Sequence, residues 1–180
     1  MTKIIIKTIT EQQWRTLKSE TLNTIVTILE SIEILIDDIH KKAGVVATQT
    51  LIGAGLLSHA IEEYGKLLYL QSLLPINGMV TIEYDGKHGA KFKNHTHKFE
   101  LALKCLPKES KILHEGNFGS HNFGRHNFDV ETIADWNTRL NIFNTDLNDD
   151  GSVKKYPIVY IHKLETAVVK FRKIINNTIP

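Results

Sequence analysis

From Glu11 onward the apolar residues of this 180-residue chain recur at intervals of three and four. Leu22, Ile25, Ile28, Leu29, Ile32, Leu35, Ile36 and Ile39 share one face at helical spacing, which predicts a helix over 11–42. Thr10 with Gln13 three positions on has the form of a capping box at its start, and Gly44 supplies a stop. One long helix, or two broken near Ser19, both fit the pattern. A second helix is predicted over 45–74, where Pro75 ends it. Gly53-Ala54-Gly55 interrupts its bulk. Glycine costs about 1 kcal/mol against alanine in a helix interior, so a neighbouring helix is expected to approach closely there.

Beyond Pro75 the turn residues Asn77-Gly78 and Asp85-Gly86 flank a short extended piece, Met79-Val80-Thr81-Ile82. A third helix is predicted over 91–106, stopping before Pro107. Phe92, Phe99, Leu103 and Leu106 line its core face, while Lys91, His95 and Lys98 fall at i, i+4 and i+7 on a separate face. Residues 108–128 carry no helical period. Within them an Asn-Phe pair recurs every five residues (Asn117-Phe118, Asn122-Phe123, Asn127-Phe128), which reads as a loop with aromatic anchors, three such units being too few for a solenoid. Asp129 is placed to cap a fourth helix over 130–143. A polar loop follows over 144–156, and Pro157 opens a last helix that runs to 176. The expectation is one all-α domain over 1–180, with a long irregular loop between the third and fourth main helices.

Composition narrows the function classes. Hydrophobic residues make up 42% and charged residues 23%, as in ordinary globular chains. A net charge of +2 does not by itself announce a nucleic-acid binder. The single cysteine, Cys105, excludes an intramolecular disulfide and a thiolate-rich zinc site, and it fits a reducing compartment. It lies in an apolar run, where a free cysteine is expected to be buried and inert. Three isoleucines before Lys7 are too short for a signal sequence, and the apolar run 45–57 falls short of the roughly 20 residues of a membrane span. A soluble, cytoplasmic chain without a membrane partner is expected.

Charge in the wrong place is the main functional signal. Glu62, Glu63 and Lys66 interrupt an apolar helix, with Lys66 at i+4 from one carboxylate and i+3 from the other. Apolar flanks on several sides point to partial burial, and a buried ion pair is a poor stability device. These residues are therefore candidates for a site or a subunit contact. Residues 87–111 hold seven lysines and three histidines against two glutamates, a strip that suits phosphate backbones or a merely solvated face. Lys91 and His97 are its candidate binding residues, beside Glu62 and Asp146. His59 and Glu62 give the Glu-x-x-His di-metal motif in reverse and only once, so no metal is expected. Asp146 to Val153 follows the start of an EF-hand loop, but Pro157 stands where the bidentate glutamate belongs. No cofactor motif is present.

The block Glu62-Glu63-x-x-Lys66, then Phe92-x-x-His95-x-x-Lys98, then Arg139 to Asp146 ahead of Pro157, resembles the AbiV family of phage abortive-infection proteins. The resemblance covers about residues 45–160 in three separated blocks. It implies an antiparallel helical bundle of the HEPN group, a homodimer, and a role in bacterial antiphage defence. Many HEPN domains are metal-independent ribonucleases with Arg, four to six residues, then His. Here Arg15, Arg125, Arg139 and Arg172 have no histidine at that spacing. Candidate catalytic residues are then His95, Lys98, Glu63, Lys66 and Arg139, gathered from separate segments. Three functions are expected to compete. The first is an effector that arrests translation or growth by binding RNA, the translation machinery or a phage-encoded activator. The second is a ribonuclease with an atypical site. The third is a non-catalytic interaction module.

Overall fold

The computed structural model describes residues 4–41, 46–85, 91–105 and 161–178. Its elements are β1 (Ile5–Thr10), α1 (Glu11–Lys41), α2 (Val46–Ser72), β2 (Met79–Asp85), α3 (His95–Cys105) and α4 (Ile161–Thr178). The described chain is mostly helical, with a small two-stranded antiparallel sheet. None of the described helices is long and apolar enough to cross a membrane. The expected helix over 130–143, the Asn-Phe loop and the 144–156 loop lie outside the described residues.

The capping box forms as the sequence predicts. The Thr10 N–H donates to Gln13 Oε1 at 2.9 Å, and the Gln13 N–H donates to Thr10 Oγ1 at 3.2 Å. α1 then runs as one helix without a break at Ser19. Trp14, Thr21, Ile25, Leu29, Ile32, Ile36 and Ile39 are buried along one stripe. α2 differs: from Gly53 to Leu70 almost every position is buried, as for a helix enclosed on several sides.

The chain divides into two compact units. Met1–Thr27 and His59–Cys105 form the first, and Ile28–Ser58 and Leu106–Pro180 the second. Each long helix contributes to both. In the first unit Trp14, Tyr69, Leu70, Val80 and Ile82 make a core, with Leu17, Phe92 and Leu101 packed against it. The Trp14 indole N–H donates to the Leu70 carbonyl at 2.9 Å, which satisfies its one polar atom. β2 is longer than the expected extended piece. It pairs with β1 in the register Thr10↔Met79 to Ile6↔Glu83, with a bulge beside Ile5. No strand was expected over 5–10. A tight turn precedes β2: Asn77 and Gly78 have φ of 51° and 73°, and Ile76 and Met79 exchange both backbone hydrogen bonds across them. Two positive φ values in a two-residue loop are the type I′ geometry that Asn-Gly favours.

In the second unit α4 buries Leu164, Ala167, Val168, Phe171 and Ile175. The Arg172 guanidinium grips Glu33 on α1 with two bonds, of 3.0 and 2.7 Å, and His40 pairs with Glu165. The expected close approach at Gly53 is present. A Cβ there would stand 2.7 Å from Leu164 Cδ2.

Candidate functional site

α3 begins four residues later than the sequence pattern predicts. The Phe92 and Lys93 N–H groups donate to the Glu83 and Tyr84 carbonyls at 3.0 and 3.2 Å, so this segment is a turn tied to β2. Asn94 then caps the helix: its Oδ1 accepts the His97 N–H at 3.1 Å, and its carbonyl accepts the Lys98 N–H at 3.1 Å. Lys91 therefore does not share a helix face with His95 and Lys98, which corrects that expectation.

Where α3 crosses α2, the Lys98 backbone lies directly on Gly65. A Cβ at that glycine would overlap the Lys98 carbonyl oxygen. This contact brings the polar residues of the two helices together. Glu62 is 2% exposed, and its Oε1 accepts from His95 Nδ1 at 2.6 Å and from the Lys98 ammonium. Lys98 is itself buried. A carboxylate so enclosed is tolerable only with a cation beside it, and Lys98 is that cation. The His95 side chain is 46% exposed, so the cluster runs from a buried ion pair to the surface.

Glu63 and Lys66 form a second pair next to it on α2, at 2.7 Å, with the Lys66 ammonium 5.2 Å from the Phe92 ring centroid. Lys66 had two carboxylates within helical reach. It takes the one at i−3, while Glu62 turns to α3. Arg139 and Asp146 lie outside the described residues. Among the described residues no group of three His, Cys, Asp or Glu side chains is placed to hold a metal ion, and His59 is exposed.

The basic strip is largely neutralised where it is described. Lys91 stands 3.4 Å from Glu83, Lys93 stands 3.4 Å from Asp85, and Lys98 belongs to Glu62. Cys105 is exposed, against the expectation of burial, because it sits at the C-terminal end of α3.

His97 and Lys91 line a different place, a cleft of about 450 Å³ shared with Ile6, Tyr69, Glu83 and Leu101. Burial holds the His97 pKa below the usual histidine value; Glu100 and Glu83 oppose this, and Lys91 and Lys104 reinforce it. Burial likewise raises the Tyr69 hydroxyl, whose oxygen accepts the Glu83 N–H at 2.9 Å. Sequence reading missed Gly65, Tyr69, Glu83 and Asn94. Gly65 alone had a signal: a glycine in a helix interior, between Tyr64 and Lys66.

No protein-family model matches this chain, nor does any curated protein or solved structure. The likeness to the AbiV family accordingly rests on its own residues.

Proposed function

We propose that this chain is an antiphage effector of the AbiV kind. In this reading it is an antiparallel HEPN-like helical bundle, acting as a cytoplasmic homodimer. It arrests translation or growth by binding RNA, the translation machinery or a phage-encoded activator. One observation carries the reading: Glu62 of the first motif block takes His95 and Lys98 of the second. Residues 33 and 36 positions away share one carboxylate oxygen. An apolar trio of similar volume would hold two helices at least as well. A half-exposed histidine kept on a buried acid is therefore attributed to a task at the surface around His95.

The test is a phage challenge of cells expressing wild type or His95→Ala at matched levels. Protection is expected to be lost while the purified variant melts within a few degrees of wild type, since His95 is half exposed. Full protection by the variant removes His95 from the mechanism.

The same contact favours a second reading, a metal-independent ribonuclease. A carboxylate on Nδ1 fixes the tautomer of an imidazole, which then exchanges protons through Nε2. That is the arrangement required of a general base acting on a ribose 2′-hydroxyl. Incubation with total RNA and tRNA in EDTA distinguishes the two. Cleavage abolished by His95→Ala supports the enzyme, and intact RNA at high protein concentration ends it.

A further inference from the structure

We propose that the cleft bounded by β1, α2, β2 and α3 binds a small phosphate monoester. Tyr69, His97 and Lys91 donate to its phosphate, while Leu73, Leu101 and Ile6 pack against its carbon body. The cleft, about 450 Å³, falls in the size range of small-molecule sites. It is distinct from the Glu62 cluster and does not depend on the function proposed above.

Tyr69 on α2, Lys91 in the turn after β2 and His97 on α3 bring donors to it from three separate segments, with Ser72 and Thr81 also on its wall. Tyr69 is 4% exposed. Its oxygen already accepts the Glu83 N–H, so its own O–H proton must point elsewhere, and among the described residues nothing accepts it. A buried donor is rarely left without an acceptor. The His97 ring likewise has no hydrogen-bond partner among the described residues; only its backbone N–H is engaged, by Asn94. Lys91 meets Glu83 at 3.4 Å, well beyond the 2.7–2.9 Å typical of a charge-assisted bond, so it turns to an incoming anion at little cost.

The balance of groups selects the ligand. Tyr69, Lys91 and His97 face the space against one carboxylate, Glu83, so an anion is favoured over a cation. Donors arriving from three directions match the three terminal oxygens of a phosphate monoester better than the two coplanar oxygens of a carboxylate. The apolar side chains would be left in water by a bare ion, which calls for a carbon body.

The test follows the His97 ring C–H signals of the full-length protein by NMR. Adenosine 5′-monophosphate, glycerol 3-phosphate, inorganic phosphate and octanoate are each titrated at constant ionic strength. A saturable shift is expected with at least one of the two monoesters, with Kd of about 1 mM or tighter. Binding is expected to weaken about ten-fold in Lys91→Gln and in Tyr69→Phe, each losing one donor. Lys91 is partly exposed, so its variant keeps the fold if Tyr69→Phe does not. The proposal is overturned by no saturable shift up to about 20 mM of either monoester. Tighter binding of octanoate, or shifts unchanged in Lys91→Gln, overturns it as well.

Discussion

Each unit of this molecule ties helices together with a carboxylate and a base, and the two do it under opposite conditions. In the first, Glu62 and Lys98 are both buried, and the α3 backbone rests on Gly65. In the second, Glu33 and Arg172 are partly exposed, and Gly53 faces side-chain atoms rather than backbone, those of Leu164, Leu35 and Ile32. The chemistry is alike, yet the consequences of disturbing it differ, because water compensates a broken pair only where it can reach it. The first arrangement also presents a histidine on the shared acid.

Five substitutions sharpen this comparison. Lys98→Met takes the lysine cation from the buried Glu62 carboxylate and leaves His95 on it, and urea unfolding is expected to show a loss of about 3 kcal/mol or more. Glu62→Gln in the same chain should restore a large part of it. A loss below about 1 kcal/mol for Lys98→Met would mean that the buried pair is not what it looks like. Gly65→Ala comes next. Its methyl group meets backbone, which cannot rotate away, so α3 has to shift; a loss of about 2–3 kcal/mol is expected by the same measurement. Arg172→Ala should cost only about 0.5–1 kcal/mol, and about 1 M salt should remove most of the difference from wild type. Gly53→Ala is the mildest. The alanine gains about 1 kcal/mol of helix propensity, and Leu164 changes rotamer at about the same cost, so the midpoint should barely move. Equal effects of the two glycine variants would erase the contrast between the units.

The periodic part of the fold was legible in the chain. The stripe from Ile25 to Ile39, the Thr10–Gln13 cap and the Asn77-Gly78 turn follow from neighbours three or four residues apart. β1 was not legible: Ile4 to Ile6 carry no alternation, and their partner strand lies some seventy residues on, beyond two helices. The unusual burial of Glu62 and Glu63 was signalled by their apolar flanks. Their partners were not, because helical spacing offers Lys66 to both carboxylates equally. The apolar and basic periods continue through Lys91 as they would in a helix, yet backbone bonds from Phe92 and Lys93 to β2 leave it in a turn.

By itself the sequence determined α1, its Thr10 cap, α2, and the places where charge interrupts an apolar face, since all of these depend on local spacing and side-chain solvation. Tertiary structure alone decided which base each acid received. That choice depends on how closely two helices approach, and at Gly65 the missing side chain lets α3 come near enough to carry His95 and Lys98 onto Glu62.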